Sequence, residues 1–268
     1  MGRGFFARFL ALRPMSPPKH RSQPPDAPEQ RRAGRDPRRA KVAYDSFYFD
    51  RLRGEGRELS LVEKFTMIHE QNLWHGPESR SGEGSGHDQT QRLVAELPGL
   101  FRELGVGTLL DVPCGAYGWI APVTRAVAAY VGADVVPELI AENTHRHADA
   151  AHRFELLDLT RDPLPPADLI LCRDCLVHLS IDDALAALRN VAKGSASYLL
   201  TTTFAFCTQN EDIVSGDWRP LNLERPPFDL PPALRLVEEH TPEGGGAFAD
   251  KALGLWRVSD LACRLAGR

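Results

Sequence analysis

Residues 108–119 read Thr108-Leu109-Leu110-Asp111-Val112-Pro113-Cys114-Gly115-Ala116-Tyr117-Gly118-Trp119. Thr108 to Val112 is an aliphatic, β-branched run of the kind that forms a strand buried on both faces. Asp111 stands where such a strand ends. Gly115 and Gly118 allow the chain to turn sharply and let backbone approach a ligand closely. In open α/β sheets ligands bind at the carboxyl ends of strands, next to the point where strand order reverses. A dinucleotide turn needs G-x-G-x-x-G, with bare N–H groups aimed at a pyrophosphate. Here Pro113 holds the first of those glycine positions and has no N–H to donate. No G-x-x-x-x-G-K-[ST] occurs in the chain, so a P-loop is absent.

The chain downstream repeats the pattern of a strand ending in an acid. Tyr130 to Asp134 is a second apolar run, and Asp134 lies 23 residues after Asp111. A carboxylate there can accept hydrogen bonds from both hydroxyls of a ribose. Pro137 to His147 reads as a helix with proline in its first turn. Arg153 to Leu157 is a third strand, ending at Asp158. Ala167 to Cys172 is a fourth, running into Arg173-Asp174-Cys175-Leu176-Val177-His178-Leu179. Asp182 to Val191 has helical spacing with Ser180 as its N-cap. Ser197 to Phe204 is a fifth strand. Leu234–Glu239 and Lys251–Val258 are two more, and the Gly-rich link between them favours an antiparallel hairpin.

The D-x-x-C-G turn resembles the first motif of class I S-adenosylmethionine-dependent methyltransferases, usually acid-x-G-x-G-x-G. Pro113 and Tyr117 depart from it, standing where the family has glycines. L-x-H-L at 176–179 resembles the fourth motif. A bacterial subfamily with E-S-x-S-G-x-G-S before D-x-P-C-G is closer still. Here that is Glu78 to Ser85, and the likeness continues through the C-R-D-x-L-V-H-L run, Thr201–Phe204, Asn210–Leu223, Pro227-Phe228 and Asp250-Lys251. It covers about residues 65–258.

The resemblance implies an α/β fold: a Rossmann-like, seven-stranded, mostly parallel sheet with a C-terminal antiparallel hairpin and helices on both faces, built from five alternating β/α units. It implies S-adenosyl-L-methionine as cofactor. The expected cofactor contacts are Asp111, Pro113, Cys114 and Gly115 on the first turn, Asp134 and Val135 after the second strand, Asp158 and Leu159 after the third, and Cys172 and Arg173 at the fourth. Asp158 would meet the adenine amino group.

Residues 69–90 join a helix over Leu59–Gln71 to one over Gln89–Leu104. They carry four glycines among polar side chains, the chemistry of a functional loop. This stretch is expected to be a lid, with Arg80 offering a fork to the cofactor carboxylate and Trp74 packing over the site. Tyr117 and Trp119 on the turn, with Asn210, Trp218 and Asn222 from a second wall over Thr203–Phe228, are the expected acceptor contacts. Asp174 and His178 lie where a base would reach a hydroxyl acceptor. O-methylation of a small molecule is the activity this favours. The rivals are an NAD(P)-binding Rossmann oxidoreductase and a non-catalytic protein that binds an adenosine ligand.

Charge divides the chain. Residues 1–41 hold 11 Lys or Arg and 3 acids, whereas the whole carries −4. That segment is rich in proline and reads as a disordered basic leader. Residues 42–100 then supply helices and lid, and 101–268 the methyltransferase domain. The acidic remainder has no basic groove, which disfavours nucleic acid and leaves a small-molecule acceptor as the expected partner. No run approaches the roughly 18 apolar residues of a membrane span. Five cysteines without a secretory signal are read as reduced thiols of a cytoplasmic protein. Cys172-x-x-Cys175 has no second pair to complete a zinc site, so no metal is expected.

Overall fold

The computed structural model describes residues 1 and 36–265. The leader expected over 1–41 lies outside them except for its last six residues. In those six, Pro37–Ala40 forms a 3₁₀ turn capped by Asp36. Arg38 donates to both carboxylate oxygens of Asp250 at 3.1 Å, and Arg39 pairs with Glu211.

Seven strands form one sheet among the described residues, in the order β3-β2-β1-β4-β5-β7-β6. They are β1 (Thr108–Asp111), β2 (Ala129–Asp134), β3 (His152–Leu156), β4 (Leu169–Cys172), β5 (Tyr198–Phe204), β6 (Arg235–Glu238) and β7 (Lys251–Arg257). The first five are parallel to one another. β7 pairs antiparallel with both β5 and β6. The C-terminal hairpin is therefore present, with its second strand inserted beside β5.

Strand alternation splits the core into two layers. Leu109, Tyr130, Leu169 and Leu200 face one side, and Leu110, Val131, Ile170 and Leu199 face the other. The first side is covered by α3 (His87–Leu104), through Leu93, Leu97, Leu100 and Phe101, and by Ile140 of α5 (Pro137–His147). The second is covered by α6 (Ile181–Lys193) and α7 (Val258–Leu265), through Leu188, Val191, Leu261 and Leu265. Each fully buried aliphatic side chain of this kind contributes about 1.5–3 kcal/mol. Ser180 caps α6 by accepting the Asp183 N–H at 3.1 Å, as its sequence position suggested.

The β/α alternation is less regular than five repeats. Of the five parallel strands, β1, β2 and β4 are followed by α-helices, namely α4 (Ala121–Thr124), α5 and α6, while β3 and β5 are not. The 157–168 link has no helix, and neither does 205–234. At the N-terminal side, α1 (Tyr48–Gly54) and α2 (Leu61–Gln71) precede the sheet. α2 starts with a reciprocal box: Ser60 Oγ accepts the Glu63 N–H, and Glu63 accepts the Ser60 N–H at 2.7 Å. Its Leu61 and Phe65 pack onto the α6-side core, while Ile68 joins Phe49, Leu52 and Val214. This seats α2 beside the carboxyl ends of the strands. Strand order reverses between β1 and β4, which places the ligand crevice there.

Candidate active site

The first turn is fixed by its backbone bonds. Cys114 N–H donates to Ala133 at 2.8 Å, Gly115 N–H to Asp134 Oδ2 at 3.1 Å, and Asn143 Nδ2 to the Gly115 carbonyl at 2.7 Å. Gly115 is left-handed at φ 51°, and a Cβ there would lie 2.7 Å from Ser81 Oγ. The glycine is thus required twice, by conformation and by the closeness of the lid. Gly118 meets neither need. The second left-handed residue is Tyr117 at φ 61°, whose ring packs on Tyr130 and Phe154. Gly115→Ala should therefore push Ser81 off the turn and weaken S-adenosylhomocysteine binding about tenfold or more, read by calorimetry. It should also lower the melting temperature by several degrees, since a side chain in that conformation costs about 1–2 kcal/mol.

Asp111, Asp134 and Asp158 line one cavity of about 750 Å³. That lies within the roughly 300–1,000 Å³ of small-molecule sites. Burial pushes the Asp111 carboxyl up to about 7, against the pull of a 2.8 Å hydrogen bond from the Tyr130 hydroxyl. Burial likewise raises Asp134 to about 6, opposed by the N–H groups of Val136 and Gly115. Each Asp134 oxygen accepts one of those bonds and keeps lone-pair capacity for a hydroxyl. Asp158 is more committed. Its Oδ1 takes the Thr160 N–H and hydroxyl, and Oδ2 takes Arg161 at 3.1 Å. That carboxylate closes its own turn.

The raised acids set a pH dependence with a definite sign. Between about 4 and 7 the folded protein holds protons on Asp111, Asp134 and Asp217, which burial raises to about 7, 6 and 7, that the unfolded chain has released. His178, lowered to about 4, opposes them up to about 6.5 as one group against three, so ligand-free stability falls as pH rises through that window. Asp134 ionises over the upper part of the same window, and an ionised carboxylate accepts hydroxyl hydrogen bonds more strongly than a protonated one. Thermal melts should show the free protein melting higher at pH 5.5 than at 8, and the shift caused by S-adenosylhomocysteine growing from pH 5.5 to 8. A free-protein melting point that climbs with pH would contradict this.

At the end of β4, Arg173 and Asp174 also line the cavity. Arg173 is spent on the protein: Nε and Nη2 go to Glu239 at 3.2 and 2.6 Å, Nη2 also goes to the Gly84 carbonyl at 2.8 Å, and the guanidinium lies 5.2 Å from the Trp119 ring centre. Asp174 receives Lys251 Nζ at 2.7 Å. Burial alone would raise its carboxyl, but Lys251 and Arg173 outweigh it and hold it at about 2.

The 72–86 segment, expected to be a lid, lines the same cavity. Trp74 stacks on His178 at 4.4 Å between ring centres, with Tyr44 and Phe65 around it. Glu78 accepts the His87 N–H at the start of α3. Trp74, Arg80, Pro113, Cys114, Gly115, Val135, Leu159, Tyr117 and Trp119 all line the cavity, Arg80 from an exposed position.

Five expected residues do not line it. His178 is buried beneath Trp74, bonded through Nδ1 to the Asp217 carbonyl, and burial lowers its imidazole to about 4. Cys172 is in the core, its carbonyl taken by Thr201. Asn210, Trp218 and Asn222 do not form a second wall. Asn210 and Asn222 bond each other's segments and the carbonyls of the 205–226 loop, and Trp218 packs on Phe204 and Phe248. A long link without secondary structure satisfies its buried backbone with such side chains. Conversely, His69 and Ser81 line the cavity without having been singled out. The available signal for His69 was position: it follows Leu61 and Phe65 at helical spacing, so it shares their inward face. Among the described residues no group of three His, Cys, Asp or Glu side chains is placed to hold a metal.

The sequence of this same region carries the deciding likeness. Residues 110–199 match the family model described as a methyltransferase domain. A search of the curated proteins returned no match. Among solved structures, the N-methyltransferase NodS from Bradyrhizobium japonicum WM9 is similar over 64% of this chain and 97% of its own, at 16% identity and a TM-score of 0.50. Human N-acetylserotonin methyltransferase in complex with SAM is similar over 77% of this chain and 61% of its own, at 14% identity and a TM-score of 0.47, too loose to carry an argument. NodS supports the fold. The matched segment supplies the methyltransferase domain, and a domain of that kind takes its methyl group from S-adenosyl-L-methionine. Among the described residues, no helix is long and apolar enough to cross a membrane.

Proposed function

We propose that this methyltransferase acts on a small-molecule acceptor, with the cofactor held along the carboxyl ends of β2, β1 and β4. The observation that carries the reading is the meeting of Asp111, Asp134, the Gly115 turn and the lid on one cavity. In this reading Asp134 grips the ribose, the 111–115 turn faces the middle of the cofactor, and Arg80 reaches its carboxylate. When bound, the cofactor supplies a methyl group on a positively charged sulfur, which is already a good leaving group. The protein's work is alignment and exclusion of water. Trp74 and Trp119 wall the site for that purpose.

The acceptor atom turns on whether a base is present. The oxygen acceptor favoured by sequence relied on Asp174 or His178 to remove a proton. A carboxylate paired with Lys251 and held at about 2 is a poor base, and His178 is turned away into the core. These two positions favour an acceptor whose lone pair is free without such a base, an amine nitrogen, with ionised Asp174 orienting it. The test is transfer from methyl-labelled cofactor to a panel of amino and hydroxylated metabolites. Turnover is expected on an amine, with a rate that climbs until the amine itself has lost its proton, and Asp174→Asn is expected to lower kcat by roughly a hundredfold. Turnover confined to hydroxyl acceptors would overturn the nitrogen assignment. Cofactor binding without turnover on any acceptor would instead favour a ligand-binding protein.

A further inference from the structure

Among the described residues, four buried polar side-chain atoms without a hydrogen-bond partner lie close together in sequence. Thr66 Oγ1, His69 Nδ1, Asn72 Oδ1 and Ser81 Oγ all lie on α2 or the lid. Leaving such an atom unpaired is costly, and in a residue that lines a cavity a turn of the ring or hydroxyl brings the atom to a partner on whatever fills it. Two of the four residues, His69 and Ser81, line the cavity.

Their surroundings place them at different points along it. His69 is 8% exposed, and its Nε2 lies 3.8 Å from Glu138 Oε2 on the solvent side. In the tautomer that carries its proton on Nε2, on the side of that carboxylate, Nδ1 is an acceptor. Glu138 is the second residue of α5 and follows Asp134 by four. Val136 and Leu139 of the same turn line the cavity beside it. Ser81 instead rests on Gly115, above the end of β1. The lid on either side of Ser81 reaches the end of β4, through Trp74 on His178 and Gly84 on Arg173. Since the strands run β2-β1-β4, α2 and the lid cross the sheet edge from the ribose acid toward Asp174. A ligand gripped at Asp134 by its ribose and lying over the first turn brings its amino-acid end toward Ser81.

We infer that His69 Nδ1 accepts a hydrogen bond from a ribose hydroxyl of the cofactor, and that the Ser81 hydroxyl bonds the cofactor's amino-acid end. This rests on the methyltransferase reading. It makes α2 and the lid a wall of the cofactor site, so that the lid closes on the cofactor and not only on the acceptor. It also explains the bare Gly115: a side chain there would displace the Ser81 hydroxyl.

Calorimetry with two ligands separates the parts. S-adenosylhomocysteine carries both ends, whereas 5′-methylthioadenosine lacks the amino acid. His69→Phe keeps a ring without the acceptor and should weaken both ligands about tenfold, and His69→Asn, whose amide oxygen replaces Nδ1, should restore both to within about threefold of wild type. Ser81→Ala should weaken S-adenosylhomocysteine about tenfold and leave 5′-methylthioadenosine unchanged. Thermal melts of the ligand-free variants report folding separately. Unchanged affinities in His69→Phe, or equal losses of both ligands in Ser81→Ala, would overturn the inference. Failure of the wild-type protein to bind S-adenosylhomocysteine would sink the methyltransferase reading itself.

Discussion

Arg173→Leu should cost about 3–5 kcal/mol of folding stability and loosen the lid in the same step. Removing one partner of a buried ion pair leaves an uncompensated charge, and that is the penalty usually seen. Glu239 has a side chain 0% exposed, and Arg173 is 5% exposed and meets it through two nitrogens. With the guanidinium gone, Glu239 keeps only Lys251, at 3.5 Å, and Lys251 is already shared with Asp174 at 2.7 Å. The Gly84 carbonyl loses its donor as well. Urea unfolding should therefore show a midpoint well below wild type. The control is Arg153→Leu, which breaks an exposed pair with Glu155 and should change stability by less than about 1 kcal/mol. Adding Glu239→Leu to Arg173→Leu should recover part of the loss, because the stranded charge is then removed. Equal stability of the Arg173 and Arg153 variants would show that the network does not hold the end of β4 to the hairpin and lid.

The second large effect is at Asp134. Asp134→Ala should weaken S-adenosylhomocysteine by a hundredfold or more, because hydrogen bonds from two ribose hydroxyls to a charged group are worth about 1.5–3 kcal/mol each. The fold should survive. The carboxylate is buried at a cost that raises it to about 6, so its loss relieves an unfavourable charge while freeing the Gly115 and Val136 N–H groups. Far-ultraviolet dichroism checks the fold, and calorimetry the affinity. Asp158→Ala should do less to affinity, since that side chain is already committed to Thr160 and Arg161. If the two variants lose affinity equally, the ribose end has been misplaced.

What could be read in the sequence follows from local physics. The run at 108–112, the acid at 134 and the helix Pro137–His147 were legible because hydrophobic period, strand-end acid and N-terminal proline all agree there. The helix was found with the ends it has in the structure, and the hairpin followed from its Gly-rich link. The 157–168 link and α7 were not legible. The first crosses from β3 past β2 and β1 to β4 without a helix. The second continues directly from β7 with no turn residue between Arg257 and Val258 to mark the change. Asn210, Trp218 and Asn222 looked functional because polar and aromatic residues cluster in their loop. Their hydrogen bonds show the other use of such residues, to satisfy a buried irregular backbone. His178 misled for a similar reason, since its motif position puts it near the site while its ring is tied through Nδ1 to the Asp217 carbonyl.

This cavity is expected to take an adenosine joined to a sulfur amino acid. That is tested most directly by titrating S-adenosylhomocysteine and NADH in parallel into the wild-type protein at pH 7.5. One molecule of S-adenosylhomocysteine bound per chain, with no heat from NADH, is the predicted result. Binding of NADH in its place, or of neither ligand, would contradict the account.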